Sequence, residues 1–206
     1  MKKLMLLGDS IRLGYQDSVK NALDGEFDVW GPDENGRFAK YTLNELGRIF
    51  SAYTKRCTEE QNQALLTPGE AIGKDIIKPD VIHWNNGLWD TSIVCVEDGP
   101  FTPIPEYIDY MSKILRELRK ITGKIIFAST TPVKPQNPNQ KNDIITEYNK
   151  HILDFMDKNK VVVNDLNALV SQDVNKYLSP DNIHLSEEGK RVCAEQIAKC
   201  VREISK

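Results

Sequence analysis

A serine that follows a short apolar run near the start of the chain is the first residue whose position suggests chemistry. The run Lys3–Leu7 is followed at once by Gly8-Asp9-Ser10, a tight glycine turn that leads into a stretch with helical periodicity. This order predicts a strand, a turn and a helix that begins near Ser10. A hydroxyl between the carboxyl end of a strand and the amino end of a helix suits a nucleophile, because the helix end stabilises negative charge.

A serine nucleophile needs a base, and the chain has three histidines. His184 follows Asp181 by three residues, in a turn-forming segment just before the last helical stretch. In such a turn a carboxylate can hydrogen-bond one imidazole nitrogen while the other nitrogen faces the serine. His83 lies inside an apolar strand and His151 inside a helix, so we interpret both as structural. Asp181 and His184 are therefore the predicted partners of Ser10.

The composition restricts the classes of protein to which the chain can belong. It has 206 residues, of which 28% are charged and 40% hydrophobic, and a formal net charge of −3. These values give no reason to expect nucleic acid or an anionic membrane as a partner, and no apolar run approaches the ~18 residues that span a bilayer. The apolar stretch at Leu4–Leu7 is too short for a secretion signal, so we expect a cytoplasmic protein with a single domain over residues 1–206.

The cysteines give no metal-binding pattern. Cys57, Cys95, Cys193 and Cys200 form no CxxC pair. We expect free thiols rather than zinc ligands or disulfides, and we expect no metal ion or cofactor.

Short apolar segments alternate with longer amphipathic ones along the chain. The last four apolar segments are nearly continuous in Val, Ile, Phe and Trp, which is typical of strands buried on both faces. The predicted strands are Lys3–Leu7, Phe27–Trp30, Val81–Trp84, Lys124–Ala128 and Val161–Asn164. The predicted helices are Ile11–Leu23, Thr42–Tyr53, Ile104–Ile121, Asn142–Lys158 and Glu187–Ile204.

This alternation predicts an α/β fold with right-handed crossovers and a parallel sheet. Five strands indicate a flavodoxin-like three-layer α/β/α sandwich with strand order 2-1-3-4-5, in which ligands bind at the carboxyl ends of the strands. Ser10, Asn85-Asn86-Gly87 and Thr130-Thr131-Pro132 follow strands on that edge. Two long connections, Asp90–Pro105 and Lys134–Gln140, are candidate walls of a pocket.

Attack by a serine on an ester creates a tetrahedral oxyanion, which needs hydrogen-bond donors. The backbone N–H of Ser10 is one candidate. The N–H of Gly36 is a second, because a glycine lets the backbone approach a ligand closely. A side-chain amide of Asn85 or Asn86, after the middle strand, is the third.

Together these segments resemble the SGNH (GDSL-type) hydrolases. The matching features are Gly8-Asp9-Ser10, a glycine after the second strand, an Asn/Gly cluster after the third, and Asp181-x-x-His184. They extend over nearly the whole chain in the same order, which makes four short motifs specific as a set. The resemblance implies a metal-free ester hydrolase in which Ser10 is the nucleophile and Asp181 and His184 complete the triad. It also implies an oxyanion hole built from the N–H groups of Ser10 and Gly36 and an Asn side chain.

The Asn is the point at which the chain departs from the family pattern. The third family block reads Gly-x-Asn-Asp, whereas this chain has Asn85-Asn86-Gly87-Leu88-Trp89-Asp90. Counted from Pro79-Asp80, Gly87 takes the place of the family glycine and Trp89 that of the Asn, which removes the amide donor. We expect Asn86 or Asn85 to supply it from just upstream, with Asn86 slightly favoured. An Asn-x-Gly-Leu-Trp-Asp block of this kind resembles that of a variant subgroup of the family.

The expected substrate is a small-molecule ester with a short acyl group, acetyl above all, because no long apolar segment suggests a lid for lipid chains. Trp84, Trp89 and Phe101 are candidates for an aromatic wall that would suit a sugar ring. Arg12 and Arg37 flank the site in sequence and are candidates for binding an acidic group. A homo-oligomer remains open.

Other classes of protein also remain open on the sequence alone. One is a flavodoxin-like binding protein that holds phosphate or flavin at helix N-termini, although no glycine-rich nucleotide fingerprint follows any strand. Another is a degenerate hydrolase that serves as an interaction module. A receiver domain is a third possibility, but only Asp9 fits its acidic pattern.

Overall fold

A five-stranded parallel sheet forms the centre of the computed structural model, which describes residues 1–47 and 78–206. The strands are β1 (Lys2–Leu7), β2 (Phe27–Trp30), β3 (Val81–Trp84), β4 (Ile125–Ala128) and β5 (Val162–Asn164). Their order across the sheet is β2-β1-β3-β4-β5, and every neighbouring pair is parallel. The predicted fold class and strand order are therefore confirmed.

Helices cover both faces of this sheet. The long ones are α1 (Ser10–Ala22), α3 (Ile104–Arg119), α4 (Asn142–Lys158) and α7 (Glu187–Ile204). Helix α2 spans 39–47 within the described residues and begins before the predicted Thr42; the remainder of the predicted helix Thr42–Tyr53 lies outside the described residues. Two short helices, α5 (Leu166–Ser171) and α6 (Val174–Tyr177), and a single 3₁₀ turn, Val96–Asp98, were not predicted from the sequence.

Alternate residues of β1 pack against different helix layers. Leu4 and Leu6 belong to the hydrophobic cluster that contains the inner faces of α1 and α7. Met5 and Leu7 belong to the cluster that contains α2, α3 and most of the apolar face of α4. Burial on both faces explains why the central strands β3 and β4 are buried at every residue and nearly continuous in apolar residues.

The parallel arrangement brings the carboxyl ends of the strands to one edge. There β1 leads into the turn at Gly8 and β3 leads into Asn85, and the N–H of Asn85 donates to the carbonyl of Leu7 at 3.0 Å. Helix α1 starts directly after Asp9, whose side chain caps it by accepting the N–H of Ile11 at 2.9 Å. The first helix therefore presents Ser10 at this edge.

Some sequence-based expectations concern features away from this edge. Cys95, Cys193 and Cys200 are free thiols, and Cys57 lies outside the described residues. Among the helices that the structure describes, none is long and apolar enough to cross a bilayer.

Candidate active site

Ser10, His184 and Asp181 form one hydrogen-bonded series at the carboxyl edge of the sheet. The Oγ of Ser10 lies 2.9 Å from Nε2 of His184, and Nδ1 of His184 lies 2.7 Å from Oδ2 of Asp181. Ser10 and His184 are 174 residues apart in the chain, so the tertiary fold brings them together. Both distances lie within the range in which the imidazole can accept the serine proton while the carboxylate orients the ring.

A tight turn holds Asp181 and His184 in place. Oδ1 of Asp181 accepts the N–H groups of Ile183 and His184, both at 3.0 Å, and the hydroxyl of Ser179 at 2.6 Å. Asn182 adopts a left-handed conformation with φ of 72°, which Asn tolerates better than most residues. The carboxylate therefore has one oxygen that fixes the turn and one that faces the imidazole.

These contacts also set the ionisation of Asp181. Burial alone would raise the pKa of its carboxyl, but hydrogen bonds from Ser179, His184 and Ile183 outweigh burial and hold the pKa well below the ordinary 3.8. Asp181 is therefore a carboxylate at neutral pH, as an orienting partner of a catalytic imidazole must be.

The other two histidines do not contact Ser10. His83 is fully buried in β3, where the amide of Asn164 donates to its Nε2 at 3.1 Å and the hydroxyl of Tyr15 lies 3.4 Å from its Nδ1. Burial lowers the pKa of His83 to about 3, so it stays neutral. His151 is exposed on α4.

Arg12 is fully buried, and this corrects its predicted role in substrate binding. Its guanidinium donates to the carbonyl oxygens of Pro32 and Glu34, both at 2.7 Å, and to the side chain of Gln16 at 2.9 Å. A longer bond of 3.4 Å reaches the carbonyl of Gly8. Arg12 therefore fastens the loop after β2 to the nucleophile turn rather than facing a ligand.

Trp84 is likewise fully buried, so the structure also contradicts its predicted place in a substrate-binding wall. Its ring packs edge-on against Phe127, with ring centroids 5.3 Å apart, and its Nε1–H donates to Oδ1 of Asn86 at 2.6 Å. The physical reason is its position inside a central strand that is covered on both faces.

Gly36 lies against the nucleophile turn, as a residue of an oxyanion hole would, but its N–H is engaged. That N–H donates to the carbonyl of Gly8 at 2.9 Å, and the hydroxyl of Thr42 donates to the carbonyl of Gly36 at 2.7 Å. A Cβ at position 36 would lie 2.7 Å from the Gly8 oxygen. Only glycine lets this loop lie so close to the turn that carries Ser10.

The amide of Asn86, slightly favoured from the sequence as an oxyanion donor, has no free hydrogen. Its Nδ2 donates to the carbonyl of Arg37 at 3.0 Å and to the hydroxyl of Thr42 at 2.9 Å. Its Oδ1 accepts the indole N–H of Trp84. Asn86 therefore links β3 to the segment that follows Gly36, and the structure does not support it as a donor to substrate.

Asn85 contacts the turn that leads into Ser10. Its Nδ2 donates to Oδ1 of Asp9 at 2.9 Å, and a Cβ at Gly8 would lie only 2.0 Å from its Oδ1. Among the described residues, the second hydrogen of this amide has no acceptor within the protein. Of the two candidate amides, that of Asn85 is the one with an unbonded hydrogen, and it contacts the Gly8-Asp9 turn that leads into Ser10.

A series of buried polar groups fixes the orientation of the Asn85 amide. The amide of Gln196 donates to Oδ1 of Asn164 at 2.7 Å, so Nδ2 of Asn164 is the group that donates to Nε2 of His83. The proton of His83 then lies on Nδ1 and points to Tyr15, whose hydroxyl donates to Oδ1 of Asn85 at 3.4 Å. All donors point the same way, which makes such networks cooperative. Sequence reasoning missed this network because its members come from four elements.

Asp9 is a buried cap rather than a reacting group. Its Oδ1 accepts from Ile11 and Asn85, whereas its Oδ2 has no partner among the described residues. Burial raises the pKa of this carboxyl. Asp9 therefore serves to start α1 and to hold the Asn85 amide.

Two cavities open at this edge of the sheet. The first, of about 640 Å³, is lined by Ser10 and His184 and by three lysines, Lys134, Lys176 and Lys190. The second, of about 330 Å³, is the aromatic cavity. Its lining comprises Phe38, Trp89, Ser92, Ile93, Val94, Phe101 and Asn139.

The aromatic cavity contains two of the three residues predicted to form an aromatic wall. Trp89 is 41% exposed and Phe101 is 49% exposed, and the ring of Phe101 lies 5.0 Å from that of Phe38. Arg37, the other predicted cation, stacks over Tyr41 at 4.7 Å. The lysines of the first cavity were not singled out from the sequence, although Lys134 begins a loop that was predicted to wall a pocket.

The fold and this arrangement of side chains define a class: three-layer α/β/α proteins with a serine–histidine–aspartate series at the carboxyl edge of the sheet. No family model matches the chain. A GDSL esterase/lipase of Arabidopsis thaliana, CPRD49, is 28% identical over 120 residues, which cover 51% of this chain and 47% of the relative. The chain thus spans about half the length of the curated relatives that it matches.

Solved structures resemble the chain over nearly its whole length. A lipase/acylhydrolase from Enterococcus faecalis superposes with a TM-score of 0.75 at 18% identity, covering 98% of this chain and 96% of that one. The acetyl xylan esterase AlAXEase superposes with a TM-score of 0.70 at 17% identity, covering 97% and 99%. The chain thus shares its fold with these solved structures and resembles the GDSL esterase/lipases in sequence over about half its length, in agreement with the resemblance of its motifs to the SGNH (GDSL-type) hydrolases.

Proposed function

We propose that the protein is a serine esterase that removes a small acyl group, acetyl above all, from a carbohydrate. The observation that carries this proposal is the series in which Ser10 Oγ lies 2.9 Å from His184 and His184 lies 2.7 Å from Asp181. A base at hydrogen-bond distance activates a hydroxyl that is otherwise a poor nucleophile.

The reaction would proceed in two steps. His184 takes the proton of Ser10 as Oγ attacks the ester carbonyl, and the tetrahedral intermediate collapses when His184 returns that proton to the leaving alcohol. A water molecule then gives its proton to His184 and attacks the acyl-serine, which releases the acid and restores the Ser10 hydroxyl. In both steps the Asp181 carboxylate stabilises the transient imidazolium.

Two donors beside Ser10 suit the oxyanion. The first is the backbone N–H of Ser10, which has no intrahelical acceptor because it lies in the first turn of α1. The second is the free hydrogen of the Asn85 amide. Loss of a single such donor typically costs ~2.7–4 kcal/mol of transition-state stabilisation. The Gly36 N–H would add a third donor only if it left the carbonyl of Gly8.

The aromatic cavity supports a carbohydrate as the alcohol portion of the substrate. Exposed faces of Trp89 and Phe101 suit the apolar face of a sugar ring, and Ser92 and Asn139 in the same lining can hydrogen-bond hydroxyl groups. AlAXEase, which shares the fold, is described as an acetyl xylan esterase. An acetylated saccharide is therefore the first substrate class to test.

The engaged donors favour one alternative, a degenerate hydrolase. The backbone N–H of Gly36 and both hydrogens of the Asn86 amide donate to acceptors within the protein. A fluorophosphonate probe separates the two proposals, because an activated Ser10 forms a covalent adduct and an inactive one does not.

The direct test is turnover of p-nitrophenyl acetate by the wild type, by Ser10→Ala and by a control, Ser112→Ala. Ser112 is a half-buried residue of α3 whose hydroxyl donates to the carbonyl of Asp109 at 2.7 Å. We expect Ser112→Ala to match the wild type and Ser10→Ala to lose nearly all turnover and all labelling. Equal rates for the wild type and Ser10→Ala would refute the proposal.

A further inference from the structure

The cavity that contains Ser10 has an unusual balance of charge for this chain. Three lysines and one glutamate, Glu187, line it, whereas the chain as a whole has a formal net charge of −3. A concave surface lined mainly by one sign of charge concentrates ligands of the opposite sign. The three lysines therefore line the same cavity as Ser10 and His184.

The three lysines differ in what they contact. Lys190 pairs with Glu187 at 2.6 Å, and Lys176 pairs with Glu188 at 3.3 Å. Lys134 is half-buried, and within the described residues its ammonium has neither a carboxylate partner nor a hydrogen-bond acceptor. It is thus the cation of this cavity that is left for a ligand.

The backbone ties Lys134 to the catalytic turn. Its N–H donates to the carbonyl of Asn182 at 3.0 Å, and Asn182 lies between Asp181 and His184 in the chain. Lys134 in turn accepts from the N–H of Asn137 at 2.9 Å. The position of this lysine relative to His184 is therefore set by the same turn that sets the base.

The size of the cavity shows which part of the substrate must fill it. A volume of about 640 Å³ is within the range of whole small-molecule sites and far exceeds an acetyl group. If the acyl group is small, as under the proposed function, the part of the alcohol portion that lies next to the ester bond occupies this space, and the aromatic cavity is left for a more distant sugar ring.

We propose that Lys134 selects esters whose alcohol portion carries an anionic group, a carboxylate, phosphate or sulfate. This inference rests on the proposed function for the presence of an ester, and it names a property of the substrate that the triad itself does not determine. Arg12 and Arg37 were the candidates from the sequence for binding an acidic group, and Lys134 takes that role in this proposal.

A matched pair of probes tests the proposal: a nitrophenyl acetate whose ring carries a carboxylate, and the methyl ester of the same compound. The readout is the ratio of kcat/KM for the charged probe to kcat/KM for the neutral one. We expect Lys134→Gln to lower this ratio about tenfold, the effect of losing one charge-assisted hydrogen bond, and Lys134→Arg to retain most of it. High salt should lower the wild-type ratio and leave that of Lys134→Gln nearly constant.

Lys158→Gln is the control, because Lys158 is exposed on α4 and pairs with Asp154 at 2.7 Å. An unchanged ratio in Lys134→Gln, or an equal fall in Lys158→Gln, would overturn the inference. If neutral ester is turned over but the ratio does not respond, selection by Lys134 fails while the esterase proposal stands.

A second measurement does not depend on turnover. Calorimetry with Ser10→Ala and with the double variant Ser10→Ala/Lys134→Gln compares their affinity for the carboxylate probe. We expect the double variant to bind about tenfold more weakly, and equal affinities would contradict the inference. If no ester is hydrolysed by the wild type, the esterase proposal fails, and this comparison still decides whether Lys134 binds the anion.

Discussion

Truncation to alanine should mainly affect different properties, stability or turnover, at the adjacent residues Asn85 and Asn86. Both amide hydrogens and the side-chain oxygen of Asn86 form hydrogen bonds within the protein. One amide hydrogen of Asn85 has no acceptor among the described residues. Asn86→Ala should therefore mainly reduce stability, and Asn85→Ala should mainly reduce kcat. The two variants make the same chemical change one residue apart, which makes each the control for the other.

The magnitude for Asn86→Ala follows from the groups that it leaves unpaired. The indole N–H of Trp84 is fully buried, and without its acceptor it costs about 1–3 kcal/mol. The carbonyl of Arg37 loses a bond worth about 0.5–1.5 kcal/mol, while the Thr42 hydroxyl keeps its bond to Gly36. We therefore expect the free energy of unfolding to fall by about 2–4 kcal/mol.

The magnitude for Asn85→Ala follows from the oxyanion. Losing one donor typically lowers kcat by about 10²–10³. The carboxylate of Asp9 retains the N–H of Ile11, and the hydrogen bond from Tyr15 to Asn85 is already long at 3.4 Å. The free energy of unfolding should therefore fall by only about 1–2 kcal/mol.

The assay is a urea titration of each variant, followed by kcat for p-nitrophenyl acetate at a temperature where all variants are folded. Asn21→Ala, an exposed residue of α1, controls for the substitution itself. A hundredfold fall in kcat for Asn86→Ala with almost unchanged stability would refute this assignment of roles. It would show that the Asn86 amide leaves its three partners to bind the oxyanion.

Three further predictions concern buried groups around the site. Burial lowers the pKa of His83 from 6.5 to about 3, so the unfolded chain binds this proton more readily than the folded protein does. The stability that neutral His83 contributes should therefore be fully present above pH 6.5, and the free energy of unfolding should fall by up to about 5 kcal/mol as the pH drops toward 3. Urea titrations of His83→Gln should show a weaker loss in acid. Burial raises the pKa of Asp90 from 3.8 to about 7, so the folded protein binds this proton more tightly than the unfolded chain does. The free energy of unfolding of the wild type should therefore fall by up to about 4 kcal/mol as the pH rises from 3.8 to 7, and Asp90→Asn should not show this fall. Arg12→Gln should destabilise by about 3 kcal/mol or more, because the carbonyl oxygens of Pro32, Glu34 and Gly8 lose a charged donor. A fall of less than about 1 kcal/mol in the free energy of unfolding from a urea titration would contradict the role of Arg12 as a clamp.

The sheet could be predicted from the sequence because each strand is a short apolar run between longer amphipathic ones. That pattern reflects burial on both faces of a parallel sheet, which is a property of the strands themselves. The short helices α5 and α6 were missed because segments of six and four residues are too short to show a helical repeat.

The grouping of Ser10, Asp181 and His184 could likewise be predicted. Asp181 and His184 are three residues apart, and a local turn at Asn182 brings their side chains together. The buried positions of Arg12 and Trp84 could not be predicted from the sequence. Whether a side chain near a reacting group faces the ligand or the interior depends on which loop crosses it. The loop that covers Arg12 contributes Pro32 and Glu34, which lie 20 and 22 positions further along the chain.

The sequence contains enough information to choose between Asn85 and Asn86 as the oxyanion donor. The slight preference for Asn86 differs from the residue that the structure favours, Asn85. Side chains alternate between the two faces of a strand, so His83 and Asn85 share one face and Trp84 and Asn86 share the other. In the structure, the first face is covered by α1 through Tyr15, and α1 is the helix that begins with Ser10. A residue that faces α1 lies on the nucleophile's side, and one that faces the layer of α2 and α3 does not. Parity along the strand, combined with the layer to which the first helix belongs, therefore indicates Asn85. The same argument applies to any parallel-sheet hydrolase in which two candidate donors follow one strand.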